Sequence, residues 1–169
     1  VSIPHLIPYS CAKFALTAFS EGLHTELARE GIYVGTIAPG LMRTGSQVNA
    51  LIKGKHHAEY TWFSTADSLP LLSMSAKRAA QLIVRATRKQ RVEIVLTFPA
   101  KLLALLHGLF PQLTIRVLTI VNRLLPSAGE AQGFDRKTGR ESETALSQSF
   151  LTTLGRRATQ TYNENATQS

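Results

Sequence analysis

The stretch E-L-A-R-E-G-I-Y-V-G-T-I-A-P-G, Glu26 to Gly40, holds the end of one periodic pattern and the whole of another. Upstream of it, Ala12, Ala15, Phe19, Leu23 and Leu27 recur at helical spacing from Ser10 to about Glu30. Glu21, His24, Arg29 and Glu30 stand mostly off that stripe, so the segment reads as an amphipathic helix. Gly31 is the expected left-handed stop after its last turn. Ile32 to Ala38 is then rich in β-branched and aromatic residues and runs straight into Pro39-Gly40, which predicts a strand ending in a turn. In an open parallel sheet, the carboxyl end of a strand is where ligands bind.

Outward from that stretch, residues 41–75 show no sustained period, and the reading expects a long lid containing K-G-K-H-H-A-E-Y-T-W-F. Ser75 is placed to cap a helix running to about Arg88, with Ala79, Leu82, Ile83 and Ala86 on its apolar side; V-E-I-V-L, Val92 to Leu96, follows as a short strand. Helix, strand, lid, helix, strand is the closing part of an α/β pattern with parallel strands. Two such strands cannot cover their own faces, so the expected fold is the C-terminal part of a Rossmann-like, doubly wound parallel sheet. Two greasy helical stretches come after Pro99, separated by Pro111 and closed by Pro126; from Ser127 the chain is polar and poor in aromatic residues. The expected organisation is a domain over 1–98, an apolar helical extension over 99–126, and a disordered polar tail over 127–169 with a weak helix around Ala145 to Leu154.

Length and composition fit one globular domain: 169 residues, 44% hydrophobic. The net charge of +8 speaks to association and solubility rather than to one ligand. Cys11 is the single cysteine, which rules out an intrachain disulfide and a cysteine metal cluster. Leu102 to Ile115 is the longest uncharged stretch of the greasy region, and it is too short and too interrupted to span a bilayer.

Tyr9 and Lys13 stand one helical turn apart near the start of the first helix. Residues at this spacing share a face, so the pair can address one ligand. An ammonium beside a phenol favours the phenolate, which suits the phenol to proton transfer near neutrality. The spacing alone is common in amphipathic helices; its company is what carries information. Y-S-C-A-K at Tyr9 to Lys13, the small-residue helix A-L-T-A-F-S-E-G-L, the strand and turn G-I-Y-V-G-T-I-A-P-G, and P-G-L-M-R-T at Pro39 to Thr44 follow in order. In that order and spacing the sequence resembles the short-chain dehydrogenase/reductase family over residues 4–44.

The resemblance implies an oxidoreductase that moves hydride between NAD or NADP and a carbonyl or alcohol substrate of apolar character. By it, Tyr9 exchanges a proton with the substrate oxygen, and Lys13 assists that transfer and bonds the nicotinamide ribose hydroxyls. Pro39, Gly40, Leu41 and Met42 lie along the nicotinamide, the Met42 backbone meets its carboxamide, and Thr44 adds a polar contact. The resemblance also implies a homo-oligomer, because the tyrosine-bearing helix commonly helps form the subunit interface. The family's T-G-x-x-x-G-x-G loop is missing from the sequence, and its Asn-Ala-Gly stretch and catalytic serine would fall ahead of Val1. The reading therefore expects the C-terminal portion of a longer enzyme, inactive by itself and cytoplasmic or membrane-associated.

Other features carry blander readings. His56 and His57 lack partners at ligand spacing and read as surface-loop residues; no metal site is expected. Cys11 reads as a small packing residue. The basic helix K-R-A-A-Q-L-I-V-R-A-T-R-K-Q-R has no aromatic interleaving and reads as a solvated face rather than a nucleic-acid surface. The sequon Asn165-Ala166-Thr167 has meaning only with secretion. In the greasy helices, Leu102, Leu105, Leu106 and Leu109 share one face, and Leu113, Val117, Ile120, Val121 and Leu124 another, with Arg116 and Arg123 off it. Packing against the domain body is the favoured reading; the alternative is a membrane-peripheral or partner-docking module for which the enzyme-like segment is scaffold.

Overall fold

Gly31 ends the first helix as its freedom at positive φ allows. A computed structural model describes residues 1–126 and 136–162 of the chain. In it α1 covers Ile7–Leu27, continues as a 3-10 turn over Ala28–Glu30, and stops at Gly31 with φ 71°. The Gly31 N–H donates to the Ala28 carbonyl and the Ile32 N–H to that of Leu27, so the chain reverses at once. His24 Nδ1 donates to the Val34 carbonyl at 2.8 Å, tying the end of α1 to the extended segment after it. That segment enters β1, Thr36–Ala38.

The chain folds as two units: Val1–Gly40 with Lys77–Asn122, and Leu41–Ala76 with the described residues from Arg123 onward. In the first, β1 pairs in parallel with β5, Glu93–Val95, in the register Thr36 to Glu93, Ile37 to Ile94 and Ala38 to Val95. α3, Ala76–Arg88, precedes β5 and buries Ala79 and Ala86, two turns apart on one face. After β5 come α4, Phe98–Leu109, and α5, Pro111–Leu124.

The second unit is built around α2, His56–Ser68. β2, Leu41–Arg43, pairs in parallel with β4, Ser73–Ser75, and β3, Leu51–Ile52, pairs antiparallel with β6, Lys137–Thr138. α6, Thr153–Thr161, packs on α2. The buried positions are mostly small and polar: Ser64, Ser68, Ser73, Ser142, Ser147, Thr152 and Thr159. Hydrogen bonds satisfy them, for example Ser68 Oγ to the Ser64 carbonyl at 2.7 Å and Thr152 Oγ1 to the Ser147 carbonyl at 2.7 Å. Small side chains also let backbones meet. A Cβ on Gly45 would strike the Thr159 backbone, and one on Gly155 the Ser68 hydroxyl.

Several expectations give way here. Residues 41–75 are not an aperiodic lid but hold β2, β3, α2 and β4. Their pattern was illegible because α2 buries Tyr60, Ser64, Asp67 and Ser68, a helical spacing written mostly in polar residues. For the same reason residues 136–162, read as disordered tail, form ordered elements, and the helix lies at Thr153–Thr161 rather than around Ala145 to Leu154. Leu146 and Phe150, the apolar residues that would have signalled a core, are exposed. The divisions at 98 and 126 do not follow the packing, since each unit is assembled from two separate stretches. Residues 127–135 and 163–169, with the sequon, lie outside the described residues.

His56 and His57 open α2 instead of lying in a loop. His57 Nδ1 donates to the Ser142 carbonyl at 3.1 Å, and His56 Nδ1 bonds the Ser142 hydroxyl at 3.1 Å. Burial and the neighbouring His57 lower the His56 pKa. The α1 stripe of Ala12, Ala15 and Phe19 is exposed, as is Cys11, because a two-stranded ladder offers too narrow a face to cover a helix of this length. The apolar faces of α4 and α5 are exposed too.

Two outcomes follow from the second unit. Gly45 has φ 87° and no room for a Cβ, so Gly45→Ala should cost about 2–3 kcal/mol and free α6, seen as lower thermal stability and faster proteolysis after Arg156 or Arg157. Asp67 is buried, which pushes its carboxyl from an ordinary 3.8 up to about 6, with Arg43 opposing the rise. A raised folded pKa means the stability from the protonated form is present below about pH 4 and lost as pH rises through 6. Asp67→Asn should therefore stabilise the unit at pH 7 by about 2 kcal/mol, with the difference between the two proteins vanishing near pH 4, as denaturant melts across that range would show.

Candidate active site

Tyr9 lies in the first turn of α1, two residues after Pro8, whose ring suits the start of a helix. Four residues on, Lys13 shares its face, and the Lys13 ammonium lies 5.4 Å from the centroid of the Tyr9 ring. Both side chains are exposed, Tyr9 to 59%. Between them Ser10 is buried, with its N–H donating to the Leu6 carbonyl at 2.8 Å. The helix thus buries the residue behind the pair and presents the pair outward.

The His24–Val34 bond ties the end of α1 to the chain that enters β1. Pro39 and Gly40 follow β1. Gly40 has φ 71°, and a Cβ on it would meet Thr97 Oγ1. Thr97 is buried and lies two residues past the end of β5, so the turn after one strand rests on the segment after the other. Thr97 backs the turn in a way that motif reading missed; its one sequence signal is its place just beyond V-E-I-V-L.

Leu41, Met42 and Thr44, expected in the loop along the nicotinamide, belong to the second unit. Leu41 and Met42 are in a strand, with Met42 opposite Met74 in the β2–β4 register. The Met42 carbonyl accepts the Thr44 N–H at 2.8 Å, and the Thr44 hydroxyl bonds Ser46 Oγ at 2.8 Å and accepts the Ser46 N–H at 3.3 Å. Arg43, between them, donates from Nη1 to the Ser73 carbonyl and hydroxyl at 2.8 and 2.9 Å. No group of three or more His, Cys, Asp or Glu able to hold a metal stands together among the described residues.

An exposed phenol and ammonium on one helix face, beside a strand that ends in a Pro-Gly turn, make up the geometry on which comparison with known proteins bears. Residues 1–53 match the family model of short chain dehydrogenases. The mouse protein named dehydrogenase/reductase SDR family member 7B is 29% identical over 119 residues, 70% of this chain and 35% of its own. A fruit-fly SDR family protein 7-like is 28% identical over 113 residues, 66% of this chain and 33% of its own. The Anopheles gambiae protein of the same name reaches 42% over 50 residues, 30% of this chain and 16% of its own. No solved structure matches. The chain spans about a third of the length of the first two of these curated relatives. In the motif order from Tyr9 to Thr44, the partial Rossmann-like architecture and these matches, the chain is similar to the short-chain dehydrogenase/reductase family, most directly over residues 1–53.

Proposed function

We propose that this chain is the proton-transfer part of a nicotinamide-dependent oxidoreductase acting on an apolar carbonyl or alcohol substrate. The observation that carries the reading is the exposed Tyr9–Lys13 pair, with the lysine ammonium 5.4 Å from the centroid of the tyrosine ring. In alcohol oxidation the substrate carbon loses hydride and its oxygen loses a proton; in reduction both return. The Tyr9 phenol takes or gives that proton. The Lys13 ammonium stabilises negative charge on the phenolic oxygen and, as a three-fold donor, suits ribose hydroxyls. NAD or NADP supplies the hydride chemistry when bound.

The exposed face of α1 suits a second copy of the protein or a further part of it, which supports the homo-oligomer reading. No T-G-x-x-x-G-x-G loop is present in the 169 residues, so the reading assigns the pyrophosphate cradle to sequence that must accompany this segment in the active enzyme.

The test is steady-state kinetics of the natural full-length protein carrying this segment, with NADH or NADPH and a panel of long-chain aldehydes and ketones. Tyr9→Phe should lower kcat by about a hundredfold or more with unchanged melting temperature. Lys13→Met should lower kcat and raise the KM for the nicotinamide cofactor, while Lys13→Arg restores part of the cofactor affinity. Near-normal turnover by Tyr9→Phe would refute the assignment.

A further inference from the structure

We infer that α4 and α5 form a docking surface for an anionic lipid interface, with both helices lying in the headgroup plane. A helix on a protein body normally buries its apolar stripe. Here the stripes are exposed. On α4, Phe98, Leu102, Leu105 and Leu109 form one stripe at spacings of four, three and four residues, and all are exposed, Phe98 to 74% and Leu109 to 62%. Ala100, Leu103 and His107, on the other side, are half-buried. On α5, Leu113, Val117 and Ile120 repeat the spacing and the exposure, while Thr114 is buried.

Charge selects the occupant. Lys101 and Arg116 each flank their helix's stripe, roughly 80° round the axis, and residues 98–122 contain no carboxylate. A second copy meeting this face through a two-fold axis would oppose cations with cations, with no acid to relieve them. Anionic headgroups complement it, and the long Lys and Arg stems let leucines enter the acyl boundary while the charges stay among the headgroups.

Length decides between lying on a bilayer and crossing it. α4 has 12 residues and α5 has 14, about 18 and 21 Å, against an apolar core of about 30 Å. Between them the chain breaks at Phe110–Pro111, since proline has no N–H to continue the α4 ladder. No helix among the described residues is long and apolar enough to cross a membrane.

Co-sedimentation of the whole 169-residue chain tests this without cofactor or turnover, using phosphatidylcholine vesicles with and without phosphatidylserine. Binding is expected to vesicles containing phosphatidylserine and to weaken with salt. Lys101→Gln with Arg116→Gln should weaken it by about thirtyfold, and Leu105→Ser with Leu109→Ser by about tenfold or more, both with unchanged circular dichroism. Phe14→Ser with Phe19→Ser, on the exposed α1 face, should leave binding unchanged. The proposal is overturned if the chain stays in the supernatant or binds both vesicle types equally. It is equally overturned if the α1 variant loses as much binding as the α4 variant, or if the α4 variant instead abolishes self-association seen by analytical ultracentrifugation.

Discussion

The parallel pairing of Thr36–Ala38 with Glu93–Val95 is the constraint on which the first unit depends. It brings the turn after one strand onto the segment after the other, so a Cβ on Gly40 would meet the Thr97 hydroxyl. It also holds the extended chain to which His24 is tied. Through that tie the end of α1 is fixed to the chain that enters β1.

That ladder is also narrow, and its narrowness explains the surface. Two three-residue strands cannot shield the sides of a 21-residue helix, so Phe14, Leu16 and Phe19 remain in solvent. The exposed stripes of α1 and of α4 and α5 differ in chemistry. The first lies among Glu21, Glu26 and Glu30 as well as basic residues, whereas the others are bordered by cations alone. Exposed apolar faces of one chain can therefore call for different partners.

The second unit is held by another kind of force. Its interior is lined by hydroxyls, a carboxyl and glycines more than by large apolar groups. Close backbone approach at Gly45 and Gly155 replaces the volume that leucines would fill, and buried hydroxyls such as that of Thr159 bond carbonyls. Tyr60, the large aromatic in this interior, has its phenol pushed up to about 12 by burial and by Glu143. Glu141 shows the complementary case, its carboxyl held below the usual range by the Thr138 N–H and hydroxyl.

The residues themselves determined the family resemblance, the helix from Ser10, the stop at Gly31, the two strands around Ile37 and Ile94, and the pairing of Tyr9 with Lys13. These rest on local geometry: a 3.6-residue period, a glycine at positive φ, β-branched runs, and a four-residue spacing on one helix face. What only the tertiary structure decided was the order within residues 41–75 and 136–162, the burial of Thr97 and Asp67, and the outward orientation of the α4 and α5 stripes. A serine or glycine that permits close packing is indistinguishable in sequence from one in a loop, since its value lies in what approaches it. An apolar stripe likewise states that a face seeks a non-aqueous partner; which direction it faces is set by the elements available to cover it.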